Sequence, residues 1–167
     1  MVNQFGGNMK KLCAFVALSI LSSTAQAAYI VDTGTPQNID GGWTVNPSQS
    51  LAAKFTLNTT TKIASIEGFM GGNGGATNIT LYADGPTPAP GAELFNGTFE
   101  AKNTMGVGST WQGLTNLNWN VGAGSYWVRF SSADSNFMSG QDTPNPLSQH
   151  AYTSMGQWFR FDGLNIG

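Results

Sequence analysis

The 167-residue chain has a single histidine, His150, and that limits its acid–base chemistry at once. A Ser-His-Asp nucleophilic site would have to use this residue. Serines are plentiful, but no Gly-x-Ser-x-Gly elbow holds one out for attack. His150 stands in a polar stretch just before Ala151 and reads as a surface or loop-packing residue. A zinc site would need further imidazoles or thiolates. The only cysteine is Cys13, inside an N-terminal apolar run. Two carboxylates set roughly 5 to 10 Å apart could hydrolyse a glycosidic bond. The acids are Asp32, Asp40, Glu67, Asp84, Glu93, Glu100, Asp134, Asp142 and Asp162. Asp40, Asp84 and Asp162 each precede glycine, which a turn explains. No pair stands out, so the expectation is a protein that is not an enzyme.

Binding chemistry is better represented. Sugars are held by aromatic faces with amides, carboxylates or guanidinium groups nearby. Trp127 and Arg129 alternate with Tyr126, Val128 and Phe130, so they share the opposite side of one strand and form the first candidate platform. Trp111 with Gln112, placed in a loop, forms the second. Trp43, Trp119 and Trp158 fall in phase with apolar neighbours and read as core. Hard cations prefer loop oxygens. Asp134, Asn136 and Asp142, with Asn145 close by, crowd one long polar segment and are the candidate calcium ligands. They lack the spacing of an EF-hand. Gly71 to Gly75 is not a phosphate cradle, because no Lys-Ser/Thr and no helix follow it.

These residues must be carried by strands, since helical periodicity is hard to find. Leu51–Leu57 alternates apolar and polar side chains, the mark of a half-buried strand. Residues 78–83 and 125–130 do the same. Shorter strands are expected at 29–32, 42–45, 117–121 and 158–161. Residues 62–69 alternate out of phase, which a bulge at Ala64-Ser65 would reconcile. Asn96-Gly97 is a strong hairpin signal. Residues 131–150 read as a long polar loop. Eight or nine short strands separated by Gly, Asn and Pro predict an all-β fold: a single antiparallel β-sandwich of jelly-roll type.

The N-terminus reads as an export signal. Lys10-Lys11 is a basic start, Leu12–Leu21 an apolar run, and Ala25-Gln26-Ala27 a small-residue cleavage site. The expected division is a signal helix over 1–27, with an upstream extension at 1–8, and a secreted domain over 28–167. An apolar run of about ten residues is too short for a bilayer core that needs roughly 20. Cys13 is not at the cleavage point, which argues against lipidation. Removal of the signal leaves five bases against nine acids, a net charge near −4. That excludes a nucleic-acid footprint, which needs clustered Lys and Arg. No basic amphipathic helix suggests a membrane surface.

Several segments together resemble a group of bacterial secreted proteins, many of which carry a sorting tail of the PEP-CTERM type. They are Leu81–Gly85 (LYADG), Pro90-Gly91, Trp111–Gly113, Ala123–Val128 (AGSYWV), Asn145-Pro146-Leu147 and Arg160–Gly163. The likeness covers most of the chain after residue 27. It implies an extracellular role linked to exopolysaccharide or biofilm matrix, and it supplies no catalytic residues. The chain stops at Ile166-Gly167 without a Pro-Glu-Pro motif, apolar helix and basic cluster. The expectation is therefore a member released, or held without covalent attachment. The functional expectation is a polysaccharide- or matrix-binding β-sandwich. A self-associating structural matrix protein is the alternative, and an extracellular hydrolase trails both.

Overall fold

The computed structural model describes residues 30–36, 42–87, 89–139 and 149–160. The signal segment 1–27, Asp142 and the turn at Asp162-Gly163 lie outside them. Twelve strands are formed: β1 (Trp43–Val45), β2 (Leu51–Leu57), β3 (Thr61–Ile63), β4 (Ile66–Gly72), β5 (Gly75–Asp84), β6 (Pro90–Ala101), β7 (Thr110–Leu114), β8 (Trp119–Val121), β9 (Gly124–Ser132), β10 (Asn136–Met138), β11 (Gln149–Ser154) and β12 (Gln157–Arg160). The described residues include no helix, and every strand pairing is antiparallel.

One layer is a six-stranded sheet in the order β12-β11-β2-β9-β5-β6. The other is a four-stranded sheet, β1-β10-β4-β7. A short ribbon of β3 and β8 prolongs the β4–β7 ladder. Leu117 N–H bonds the Ala64 carbonyl at 2.8 Å across the break between them. Ala64-Ser65 is thus irregular, as the phase slip predicts, but wide enough to divide the segment into two strands.

The layers close face to face as a β-sandwich. Phe55, Leu57, Leu81 and Tyr126 of the large sheet pack with Ile63 and Val121 of the ribbon. Trp43 stacks on Tyr152 at 5.9 Å, and Phe95 on Trp119 at 5.2 Å. Fully burying side chains of this size stabilises by roughly 1.5–3 kcal/mol each. Trp43 and Trp119 are half-buried parts of this core, as their phase implied.

Four local expectations are corrected. Asn96-Gly97 makes no hairpin, because β6 runs straight through it. The turn lies earlier, where Asp84 pairs with Pro90. Gly97 faces the other layer, and a Cβ there would sit 2.7 Å from Leu114 Cδ1. A close approach of sheets, not a turn, explains the glycine. Residues 131–150 are not one loop: β9 extends to Ser132, β10 forms at 136–138 and β11 begins at Gln149. Residues 30–32 form no strand, although Val31 packs against the core. Trp111 and Gln112 lie in β7, not in a loop.

Candidate functional site

Both faces of the large sheet are covered in part. Ala52, Trp127 and Ala151 point away from the sandwich core yet are buried, with Ala89 packed against them. The pairing explains how. Ala151, Ala52 and Arg129 stand in one row across β11, β2 and β9, and Lys54, Trp127 and Tyr82 in the next across β2, β9 and β5. Two alanines leave room for the indole, and Ala89, in the turn after β5, covers it.

Trp127 is 0% exposed, so it offers no ring face to a ligand. The sequence reading of it as a stacking platform is corrected. The residue is a foundation. Its Nε1–H donates to Asp84 Oδ1 at 2.9 Å. Lys54 Nζ binds Asp84 Oδ2 at 2.6 Å and stands 5.8 Å from the Trp127 ring centre. Burial on its own would raise the Asp84 carboxyl pKa. The hydrogen bonds from Lys54 and Trp127, the Lys54 charge and the Gly85 N–H outweigh it and hold the pKa below its ordinary value.

Arg129 borders this cluster. Its Nε donates to Ser50 Oγ at 2.8 Å and its Nη1 to Tyr82 Oη at 3.4 Å. The guanidinium lies 5.9 Å from the Trp158 ring centre. Ser50 is itself fixed through Thr153 Oγ1 at 2.7 Å. Among the described residues Arg129 has no carboxylate partner; the ion pair there is Lys54–Asp84.

Beyond Arg129 the same face opens into a groove of about 270 Å³. Its walls include Asn46, Gln49, Asn78, Thr98, Ser131 and Thr153. At roughly 30 Å³ per water this is room for about nine waters. No described carboxylate, histidine or aromatic residue lines it. One wall is fixed. Asn46 Oδ1 accepts from Ser48 N and Gln49 N, both at 2.9 Å, and Gln49 Nε2 donates to the Thr44 carbonyl at 3.0 Å. The opposite wall is looser, since the buried Asn78 Oδ1 has no hydrogen-bond partner among the described residues. Hydroxyls, amides and one guanidinium can recognise a polar molecule. They provide no acid–base pair to cleave one.

The other candidates do not converge on this groove. Trp111 is 40% exposed on β7, with its edge against Phe69 and its Nε1–H toward Thr35 Oγ1 at 3.3 Å. Gln112 beside it is buried, donating to the Met70 carbonyl and accepting from Lys102 N. Trp111 is therefore left without its expected polar companion. Asn136 is 3% exposed, and its amide binds Gly74 N, Gly74 O and Ser132 Oγ. It closes the turn between β4 and β5 and turns away from any loop cation. Asp134 is exposed, and Asp142 lies outside the described residues. Among the described residues, no three His, Cys, Asp or Glu come together as a metal cluster. His150 is half-buried in β11 opposite Ala53, and burial lowers its pKa.

Only Arg129 of the expected residues lines the groove. Ser131 was within reach of the same reasoning, as the next outward position on its strand. Asn78 and Thr98 were not, because their place beside it depends on which strands pair. The chain matches no family model, no curated protein and no solved structure.

Proposed function

We propose that the chain is an exported, non-enzymatic β-sandwich that binds extracellular polysaccharide, or a matrix partner displaying it, in the groove beside Arg129. The observation that carries this reading is the groove's chemistry: hydroxyl and amide side chains on three adjacent strands, a held guanidinium and no acid–base pair. Sugars present the complementary hydroxyl donors and acceptors. The likeness to exported matrix-associated proteins points the same way. A glycan array probed with the purified chain and with Ser131→Trp tests it. Retention of at least one polysaccharide, lost when the indole fills the groove, is expected. No retained glycan would remove the reading.

A second reading is self-association through strand edges. It rests on β6, twelve residues long and, among the described residues, paired on one side only, with β5. Such an edge offers a row of unpaired backbone groups unless charge or cover guards it. Leu94, 42% exposed, lies on it. If the edge assembles, Leu94→Lys abolishes concentration-dependent oligomers seen by light scattering. An unchanged monomer at all concentrations rejects that reading.

A further inference from the structure

We infer that the groove selects an acidic sugar: a hydroxylated ring that carries a carboxylate. The inference rests on the polysaccharide reading and narrows it to a ligand class.

Arg129 is the reason. A guanidinium has five N–H donors in a planar fork that fits a carboxylate in bidentate fashion. Described side chains take two of these, through Ser50 and Tyr82. Three are left over, on a side chain already held on three sides by Ser50, Tyr82 and Trp158. A partly buried cation with no described counter-charge, fixed at the edge of a polar groove, is arranged to meet an anion.

The wall opposite supplies the sugar-like half. Asn78 stands directly across from Ser131, two residues along β9 from Arg129. Such diagonal neighbours lie about 7–8 Å apart, a span that one ring can bridge. Among the described residues, no hydrogen bond holds the Asn78 Oδ1 in place. A turn about χ2 breaks no described hydrogen bond and lets the carboxamide meet a ring hydroxyl. Thr98 and Ser131 offer further hydroxyls beside it.

Two acids flank the far rim and bear on the charge preference. Glu100 pairs opposite Ala76, and Asp134 follows Ala133. Both are exposed, and neither lines the groove. Arg129 stands level with Thr80, four residues along β5 from Ala76. At about 3.3 Å per residue that is roughly 13 Å. Over that span the field of two exposed carboxylates is weakened by salt, whose Debye length is about 10 Å at 0.1 M. The guanidinium, not the rim, sets the local preference.

The test compares one polymer in two forms at 0.15 M salt: a polyuronate and the same polymer with its carboxyls reduced to alcohols. A sulfated neutral glucan is the third arm. Wild type is expected to bind the polyuronate at least tenfold more tightly than its reduced form. The sulfated glucan is expected to fall below the polyuronate, because a sulfate ester, although it can also take two guanidinium N–H bonds, is a weaker base and so a weaker hydrogen-bond acceptor than a carboxylate. Arg129→Gln should bring polyuronate and reduced polymer to parity while the reduced polymer still binds. Ser131→Glu, which sets a carboxylate beside an intact Arg129, should also close the gap between the two polymers, read as their affinity ratio because a change in the groove wall weakens both, and it keeps the test valid if the arginine variant fails to fold. Equal wild-type binding to both forms would overturn the acidic-sugar inference and leave polysaccharide binding standing. Sulfate preferred over uronate would overturn the carboxylate assignment. No binding in any arm would remove both.

Discussion

At the scale of single residues, Asp84 is the most consequential side chain outside the groove. It satisfies the buried Trp127 N–H and pairs with Lys54. An orphaned buried donor costs about 1–3 kcal/mol. Asp84→Ala is expected to lower stability by about 2 kcal/mol in urea titration, with a change in tryptophan emission. The pH dependence follows from the depressed carboxyl. Its contribution is complete above the ordinary value of 3.8 and is lost as pH falls through the lower folded value. Asp84→Asn should remove that part of the acid transition. His150 acts in a higher window. Burial lowers its pKa, so the unfolded chain takes up the proton first, and stability declines as pH falls below the ordinary 6.5. His150→Asn is expected to flatten the slope just below pH 6.5 in thermal melts. Both roles were hard to read beforehand. Asp84 precedes a glycine, which a turn explains without Trp127, and the burial of His150 depends on the partner strand.

At the scale of elements, alternation identified what it could. Leu51–Leu57 is β2 with the expected bounds, because one face meets a deep core and the other is mixed. Alternation also placed Trp127 and Arg129 on one side of β9. It could not tell that this side is buried at Trp127 and open at Ser131. That difference comes from Ala52, Ala89 and Ala151, which are remote in sequence. The Asn96-Gly97 signal misled for a related reason. A glycine needed for contact looks the same as one needed for a turn until its neighbour is known. The contact predicts a result: Gly97→Val should drive a branched side chain into Leu114. Overpacking of this kind costs about 1–3 kcal/mol. Urea midpoints of Gly97→Val and of Gly97→Val/Leu114→Ala measure it, and the second change should restore part of the loss.

At the scale of the whole molecule, composition and strand spacing carried the fold class. Low charge, abundant Gly and Asn, and regular short strands led to an all-β sandwich, and the structure is one. The number of strands was underestimated, because β3 and β4 read as one interrupted strand and β10 and the start of β11 fell in the segment read as a loop. The groove was the least legible feature. It draws on the turn at 46–49, on β5 and β6, on β9 and on β11, and no local pattern joins them. The export reading makes a prediction of its own: N-terminal sequencing of protein recovered outside the cell should begin at Ala28. A start within residues 1–9 would show that the signal is not removed.

The pairing of β2 has a consequence for timing. Its two neighbours are β9 and β11, and at its edge Ser50 binds Thr153 across 103 residues of chain. Neither ladder can begin to form until the chain has been made as far as Gly124, and the β2–β11 ladder needs it as far as Gln149. Folds dominated by such distant pairings fold in milliseconds to seconds, far more slowly than local ones. Synthesis proceeds at about 5–20 residues per second, so the N-terminal strands wait several seconds for partners not yet translated. Under the export reading, the large sheet would close only after its late strands emerge, leaving its early strands open to threading through a channel.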